Sequence, residues 1–334
     1  MISVNNVPAR AAFEIVKGSR RVLTLSEAQV ADALDPNELL DGLERGFGAL
    51  ARNQIQCPPR PKITVPDKGF SLSMQAWQPG MQICVKIVNV FEGNLKINLP
   101  NHLAIINLFD PETGACTCVM DGTYITGVRT AASAVVSHKL LSRPDSKIAT
   151  IVGAGVQGRE HLRFLSLIRD FEEIQICDRY FEHAERLARK NPKARAVRNI
   201  EEAIRRSDAI CLAAHSAVPV IQADWVKSGT HVSSVGFYPP DGELPRQLPR
   251  NNRLFVESSD SFAAAPVGCG ELSGIDSKTG TLLGEVVNDS RKGRRDALEI
   301  TVYKAMGVAM EDMVAANLAY RRALAVRVSS YMDW

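Results

Sequence analysis

The chain has 334 residues, of which 45% are hydrophobic, which is enough for a buried core and for about two domains at roughly 150 residues each. Its 40 basic and 37 acidic residues leave a net charge of +3, so electrostatics gives no reason to expect a nucleic acid or an anionic membrane as partner. No apolar run approaches the roughly 18 residues of a spanning helix, and the N-terminus lacks a basic stretch followed by an apolar one, so we expect no membrane span, no secretory signal and a cytoplasmic location.

The residues before about Thr126 predict short strands mixed with one or two helices. Helical apolar spacing covers residues 39–47, and a proline-rich stretch at 57–62 must be extended. Residues 83–90 predict a strand rich in β-branched side chains. Two further strands, at 104–109 and 115–120, flank a turn, so this part of the chain predicts a sheet.

From Arg129 onwards the pattern changes to alternating strands and helices. Small residues at 130–137 predict a helix that begins near Thr130. Beyond it we expect strands at 148–152, 173–177, 209–213, 230–235 and 253–257, with helices at 156–168 and 181–190. Such alternation implies a parallel sheet with helices on both faces. The last stretch, 300–326, has helical periodicity and predicts a terminal helix.

A glycine-rich turn of the form G-x-G-x-x-G follows the strand at 148–152 and precedes a helix. Gly153 permits the tight turn, Gly155 lets the backbone approach a pyrophosphate, and Gly158 lets the helix pack against the strand. The next strand ends at Asp178, about 20 residues on, where a carboxylate binds the ribose hydroxyls. That charge repels a 2′-phosphate, so we expect NAD(H) rather than NADP(H), although Arg179 beside it can accept the phosphate. The alternative is a glycine-rich turn that binds nothing.

Lys86 interrupts an otherwise apolar strand. By alternation it shares a face with Cys84, Val88 and Val90. A lysine on an apolar face must find an anion or lose its proton, so Lys86 is a candidate for holding a substrate carboxylate or donating a proton. The alternative is a lysine that protects an edge strand from pairing.

Two arginines are candidates for binding a carboxylate. Arg129 precedes the helix predicted from Thr130, whose N-terminus would assist a bidentate guanidinium; the alternative is a salt bridge to a neighbouring acid. Arg60 lies between prolines in a stiff segment and can also bind a carboxylate; the alternative is plain solvent exposure. Nothing local separates three further acids from helix caps or surface charges: Asp121, Glu271 and Asp312.

Seven cysteines and six histidines are dispersed along the chain. The close pair Cys116 and Cys118 has C-x-C spacing, not the C-x-x-C spacing of a zinc knuckle. We therefore expect reduced, mostly buried thiols and no metal site.

Several motifs, in the same order, resemble those of the ornithine cyclodeaminase/μ-crystallin family. They are VKIVN at 85–89, LFDPETG at 108–114, RTAASA at 129–134, GAGVQ at 153–157, GEV at 284–286 and GVAMED at 307–312. The likeness spans residues 23 to 324. Motifs in this order are specific for the family, though not for one activity within it.

The resemblance implies an α/β fold in two domains. A Rossmann NAD(H)-binding domain, residues 129–315, is inserted into an α+β substrate-binding and dimerisation domain, residues 1–128 plus 316–334. It further implies a homodimer, an NAD(P) cofactor and a small α-amino or α-imino acid as substrate.

Family positions also imply the site residues. Arg60, Lys86 and Arg129 match positions at the substrate carboxylate and reactive centre, with Lys86 catalytic. The residues that we expect at the cofactor are Arg129, Gly153, Gly155, Val156, Gln157, Gly158, Asp178, Arg179, Val235 and Met306.

The chain departs from true cyclodeaminases, which carry an aspartate after the strand at 231–235. Tyr238 takes its place in the segment GFYPPDG at 236–242. A phenol that titrates near about 10 is no substitute for a carboxylate base at neutral pH, but it can donate a proton to a forming amine, so Tyr238 is a second catalytic candidate. Asp241 lies close in sequence, and Asn101 stands where cyclodeaminases have a cofactor-contacting threonine.

These observations predict an NAD(H)-dependent oxidoreductase that reduces an α-imino acid, either a cyclic ketimine or an imine of a 2-oxo acid, or runs the reverse oxidation. One alternative is a cyclodeaminase-type lyase that converts L-ornithine to L-proline and ammonia with bound NAD. Another is an NAD(P)H-dependent small-ligand-binding protein of the μ-crystallin kind. Tyr238 argues against the lyase, and Lys86 with Arg129 favours catalysis over binding alone.

Overall fold

The computed structural model describes residues 21–265, 267–328 and 330–333. Within these residues the chain forms fifteen strands in two sheets and nine α-helices. The prediction about a secretory signal concerns residues 1–20, which lie outside the described residues.

The first sheet contains seven strands. They are β1 (Arg21–Leu25), β2 (Lys62–Val65), β3 (Gly69–Ala76), β4 (Ile83–Val90), β5 (His102–Phe109), β6 (Cys116–Asp121) and β15 (Tyr331–Asp333). Their order across the sheet is β15-β1-β6-β5-β4-β3-β2. Strands β1 and β6 are parallel, and the other neighbours are antiparallel. The strand predicted at 83–90 is confirmed at both ends.

Strand β4 lies inside the first sheet, between β3 and β5. Lys86 stands opposite Met74 on β3 and Ile106 on β5. Cys84, Lys86 and Val88 are buried, as the alternation predicts. The alternative of a lysine protecting an edge strand is therefore wrong.

The second sheet contains eight parallel strands. They are β7 (Ile148–Val152), β8 (Glu173–Cys177), β9 (Ala194–Ala196), β10 (Ala209–Leu212), β11 (His231–Ser234), β12 (Arg253–Val256), β13 (Thr281–Leu282) and β14 (Thr301–Lys304). Their order is β13-β12-β14-β11-β10-β7-β8-β9, so strand order reverses between β7 and β10. This confirms the predicted Rossmann-type sheet, and the reversal is where such folds bind ligands.

The helices connect and cover these sheets. They are α1 (Glu27–Ala33), α2 (Pro36–Ala51), α3 (Thr123–Leu141), α4 (Val156–Ile168), α5 (Phe181–Ala188), α6 (Ile200–Arg206), α7 (Gln247–Asn251), α8 (Leu283–Asn288) and α9 (Ala309–Ala325). Asp35 caps α2 by accepting from the backbone N–H groups of Asn37 and Glu38, and Pro36 occupies its first turn. Helix α3 packs against α2, α4 and α9, and α9 packs on β3 and β4. The C-terminal helix thus returns to the first sheet.

Two helix predictions are wrong. Helix α3 begins at Thr123 rather than near Thr130, because burial of Ile125 and Val128 outweighs the weak helix propensity of this segment. Arg129 therefore lies in the second turn and gains nothing from the helix N-terminus. The helix predicted over 300–326 is strand β14, a turn at Gly307 with φ of +76°, and then α9. Thr301, Val302 and Tyr303 carry β-branched or aromatic side chains that suit a central strand.

The domain boundaries at 128/129 and 315/316 stay a prediction. Helices α3 and α9 run through these two points without a break. Strands β7 to β14 form the second sheet, while β15, after α9, pairs with β1 of the first sheet. The parallel sheet is thus inserted, along the chain, between segments of the first.

Candidate active site

A cleft of about 1400 Å³ lies between the inner face of the first sheet and the carboxyl ends of the second. Lys86 and Val88 of β4 form part of one wall. Gly153, Asp178 and Val235, which follow β7, β8 and β11, form part of the other. The cleft therefore opens at the reversal of strand order, where parallel sheets bind dinucleotides.

The three glycines of the turn after β7 have different surroundings. Gly153 has φ of +107°, and a Cβ there would collide with the carbonyl of Ala213. A Cβ on Gly158 would collide with the carbonyl of Gly153, so helix α4 packs directly on the turn. A Cβ on Gly155 would meet no described atom within 4 Å, which leaves open space above the backbone.

The N-terminus of α4 faces this open space. Within the described residues, no side chain caps it. Val156 is 55% exposed on the floor of the cleft. Gln157 donates from Nε2 to the carbonyl of Gly127 at 3.2 Å, while its buried Oε1 has no hydrogen-bond partner among the described residues. Uncapped N–H groups beside open space fit the pyrophosphate of a dinucleotide.

Asp178 is held in place at the carboxyl end of β8. Its Oδ2 accepts from the backbone N–H of Ala154 at 2.6 Å, and its Oδ1 accepts from that of Tyr180 at 2.8 Å. Arg179 also lines the cleft, with its guanidinium 5.8 Å from the centre of the Tyr180 ring. A carboxylate at this strand end fits the ribose hydroxyls of NAD.

Nine of the ten residues predicted at the cofactor line the cleft. They are Arg129, Gly153, Gly155, Val156, Gln157, Asp178, Arg179, Val235 and Met306. Gly158 does not, because it lies beneath the turn. The structure thus brings the nine together, and their contacts with a cofactor stay a prediction.

Lys86 and Arg129 meet at one carboxylate. Lys86 is fully buried, with Nζ 2.7 Å from Oδ2 of Asp312 and 3.4 Å from Oγ1 of Thr126, to which it donates. Arg129 donates from Nε to Oδ1 of Asp312 at 3.0 Å and from Nη1 to Oε2 of Glu311 at 2.6 Å. Both cations line the cleft, and the carboxylates lie behind them.

Burial and neighbouring charges shift the pKa values of Lys86, Arg129 and Asp312 in opposite directions. Burial lowers the pKa of Lys86 to about 8, although Asp312 opposes the shift. Burial acts in the same direction on Arg129, but Asp312 and Glu311 outweigh it and raise its pKa. Burial would raise the pKa of Asp312, yet Arg129 and Lys86 hold that pKa below its ordinary value. Lys86 is thus close to a protonation change near neutral pH, while Arg129 stays charged.

Arg60 reaches the same region from the proline-rich segment. Its Nη1 donates to the carbonyls of Met306 and Gly307 at 3.2 and 2.9 Å, and its Nη2 donates to that of Val267 at 2.7 Å. The alternative of plain solvent exposure is wrong. A Cβ on Gly307 would collide with the guanidinium of Arg129, so both arginines converge on this glycine.

Tyr238 lies at the edge of the cleft rather than in its lining. Its ring is 38% exposed and stands edge-on to His215, with centroids 4.4 Å apart. His215 lines the cleft, whereas Tyr238 is not among the described lining residues. Asp241 is paired with Arg246 at 2.8 Å. A catalytic role for Tyr238 stays a prediction.

Sequence reasoning did not separate Asp312 from other acids and did not single out Glu311 or Glu257. Glu257 accepts at Oε2 from the backbone N–H groups of Met306 and Gly307, at 2.9 and 2.7 Å. Glu311 and Asp312 lie in the first turn of α9, where acids are common because the helix dipole favours them, so their position carried no signal of a site. The sequence pointed to an acidic partner in one way only, since a lysine on an apolar strand face needs an anion nearby.

The described residues contain neither a metal-binding cluster nor a membrane-spanning helix. In 21–265, 267–328 and 330–333, no group of three or more His, Cys, Asp or Glu side chains is arranged to hold a metal ion. No helix in the same ranges has the length and apolar character needed to cross a membrane. All seven cysteines lie in the described part, where they are free thiols.

Comparison with known proteins agrees with this geometry. The profile of the ornithine cyclodeaminase/mu-crystallin family matches residues 20–327. The ketimine reductase mu-crystallin of Mus musculus is 33% identical over 304 residues, which are 89% of this chain and 96% of that protein. The Thermococcus litoralis Delta(1)-pyrroline-2-carboxylate reductase, in complex with NADH and L-proline, has a TM-score of 0.85 and 33% identity, covering 92% of this chain and 99% of that one. An archaeal alanine dehydrogenase dimer with bound NAD has a TM-score of 0.85 and 26% identity, covering 94% and 99%. The chain belongs to the ornithine cyclodeaminase/mu-crystallin family.

Proposed function

We propose that the protein is an NAD(H)-dependent oxidoreductase that reduces an α-imino acid to an α-amino acid or catalyses the reverse oxidation. The observation that carries this proposal is that Lys86 and Arg129 line the same cleft as the glycine-rich turn after β7. An acid held by these cations would lie beside a dinucleotide bound at the strand ends. The mouse ketimine reductase and the T. litoralis pyrroline-2-carboxylate reductase, each 33% identical, support it.

The residues after β7 and β8 suit NAD(H). The backbone at Gly153 and Gly155 and the first N–H groups of α4 would hold the pyrophosphate. Asp178 would hold the ribose hydroxyls and repel a 2′-phosphate, so NADP(H) is the less suitable cofactor. When bound, the nicotinamide supplies the hydride for the α-carbon of the imine.

The cations would act on the substrate. Arg129 and Arg60 hold and orient its carboxylate, a geometry for which guanidinium groups are suited. Lys86 polarises the imine and supplies a proton to its nitrogen, so that one hydride at carbon and one proton at nitrogen together convert the imine to an amine. A pKa of about 8, which burial lowers from the ordinary value, lets Lys86 carry that proton at neutral pH and release it readily.

The wall beyond Lys86 is apolar, which bears on the side chain of the substrate. Along the same face of β4 come Val88 and Val90, paired across to Leu72 and Phe70 of β3, and all four line the cleft. We propose that the substituent placed here is uncharged, either a ring or an aliphatic chain. A cyclodeaminase substrate carries a second ammonium group, which this stretch of the wall does not match.

NADH oxidation tests the proposed function. The purified chain is given NADH or NADPH with five- and six-membered cyclic ketimine carboxylates, or with 2-oxo acids and an amine. We expect consumption of NADH in preference to NADPH, with the cyclic or aliphatic substrates. L-Ornithine serves as the matched lyase substrate. Ammonia released from it without net change in nicotinamide absorbance, together with no turnover of any imine, would overturn the proposal.

We also propose that the protein is a homodimer. The outer face of the first sheet, opposite Lys86, carries Val85, Ile87, Ile105 and Val119. Ile105 is 45% exposed and the other three are half-buried. A second copy of this chain would cover this apolar face, and the archaeal alanine dehydrogenase of known structure is a dimer.

A cytoplasmic location is likewise our proposal. Seven free thiols suit a reducing compartment, where such groups persist. Fractionation of the native cell tests this, and recovery outside the cytoplasmic fraction would contradict it.

A further inference from the structure

One buried carboxylate joins the two cations of the cleft. The oxygens of Asp312 divide between them, with Oδ2 2.7 Å from Nζ of Lys86 and Oδ1 3.0 Å from Nε of Arg129. Asp312 and Lys86 are fully buried, and Arg129 is 5% exposed. Such a bridge fixes two side chains, from β4 and α3, relative to each other.

Asp312 itself is held rigidly. It lies in the first turn of α9, which packs across β3 and β4, so its position depends on the helix rather than on a loop. It is not among the described residues that line the cleft, and a substrate there would meet Lys86 and Arg129 instead. Any effect of Asp312 on catalysis must therefore pass through these cations.

We propose that Asp312 is a positioning residue that orients the Lys86 ammonium and the Arg129 guanidinium toward the cleft and supplies the counter-charge that lets buried Lys86 hold its proton. This inference rests on the proposed function, because it assigns Asp312 to the same reaction. It goes beyond that function by naming the group that sets the protonation of the proton donor.

The surroundings of Lys86 make Asp312 the dominant anion. The groups that face it are Cys84 on its own strand, His102 on β5, Thr126 and Arg129 on α3, and Asp312 and Glu311 on α9. Burial and the charge of Arg129 lower the pKa of Lys86, while Asp312 opposes them more than Glu311 does. Without the Asp312 charge, Lys86 would lose its proton at a lower pH.

The experiment compares Asp312→Asn, Asp312→Glu and the unchanged chain. For each, kcat and kcat/KM for a ketimine are measured against pH, and NADH affinity is measured by nicotinamide fluorescence. For Asp312→Asn we expect kcat at neutral pH to fall about tenfold or more and the alkaline limb of the profile to move about one pH unit lower. NADH affinity should change little, since Asp312 lies away from the glycine-rich turn.

Asp312→Glu keeps the charge but moves it by one methylene. We expect its alkaline limb to stay near that of the unchanged chain while kcat falls, a split that general destabilisation does not produce. An alkaline limb that does not move in folded Asp312→Asn would overturn the proposal. Should Asp312→Asn fail to fold, an Asp312→Glu chain with unchanged kcat would overturn it as well.

Failure of the proposed function can be distinguished from failure of the Asp312 proposal. If the proposed function is wrong, the unchanged chain will turn over no imine. The Asp312 variants and the unchanged chain would then be compared by the affinity of the NADH-loaded protein for L-proline. If Asp312 positions Lys86 and Arg129, the Asp312→Asn chain should bind L-proline about tenfold more weakly. Equal affinities would overturn it.

Discussion

At the scale of single residues, the buried ammonium group of Lys86 indicates that a compensating anion lies nearby. A fully buried ammonium is unfavourable unless a partner compensates for lost hydration. Asp312 compensates at 2.7 Å, so Lys86 keeps a charge in a region otherwise lined by apolar strand residues. A lysine kept in such a place for packing alone would have no advantage over methionine, which fits the same volume.

Lys86→Met therefore tests the proposed proton donor directly. We expect turnover of a ketimine to fall by at least about a hundredfold, because the group that polarises and protonates the imine nitrogen is lost. NADH affinity, measured by fluorescence, should remain close to that of the unchanged chain. Lys68→Met, at an exposed lysine in the turn between β2 and β3, is the matched control. Turnover by Lys86→Met comparable to the control would remove Lys86 from the mechanism.

At the scale of elements, helix α3 is joined to the second sheet by two buried histidines. His138 and Ser233 are 2.9 Å apart from Nε2 to Oγ, and the same atoms of His231 and Ser137 are also 2.9 Å apart. The two rings meet edge to face with centroids 4.5 Å apart. Burial lowers the pKa of His138 to about 3 and that of His231 well below its ordinary value. Both are neutral in the folded chain at physiological pH.

These histidines predict loss of stability in mild acid. As the pH falls below about 6.5, the unfolded chain takes up protons that the folded chain does not, so the free energy of unfolding decreases. Each histidine contributes about 1.4 kcal/mol of destabilisation at one pH unit below that value. Urea unfolding at a series of pH values measures this.

The matched pair for that experiment is His138→Gln and His183→Gln, since the His183 side chain on α5 is 40% exposed whereas His138 is fully buried. The slope of stability against pH should become shallower for His138→Gln than for His183→Gln. Identical slopes in the two variants would show that buried His138 does not control acid stability.

At the scale of the whole molecule, the two sheets line one cleft and contribute different groups to it. The parallel sheet supplies strand ends and a helix N-terminus, and the mixed sheet supplies Lys86 and an apolar wall. Helices α3 and α9 carry Arg129 and Asp312 into the same place. The inner face of the first sheet thus lines the candidate site, which leaves its outer face for the second copy that we propose.

Ile105→Lys tests the dimer. A charge at the centre of the proposed interface cannot be buried without a partner, so we expect the dimer to dissociate at micromolar concentration. Light scattering coupled to size exclusion gives the mass. Leu298→Lys, at a side chain that is 73% exposed, is the control and should remain dimeric. An unchanged chain with the mass of a single copy would contradict the proposal at once.

Much of this protein followed from its sequence alone. Strands 83–90, 148–152 and 173–177 and the helix at 156–168 were predicted to the residue, because hydrophobic periodicity and glycine placement are local properties. The glycine-rich turn and Asp178 followed for the same reason, since strand, turn and acid lie within about 30 residues of each other.

What the sequence left open depended on packing between distant segments. The start of α3 and the division of 300–326 into β14 and α9 were mispredicted because burial overrode local propensity. Asp312 was one acid among many until α9 was seen to pack on β4, about 226 residues away along the chain. A local pattern predicts which residue needs a charged partner, but only the tertiary structure decides which residue that partner is.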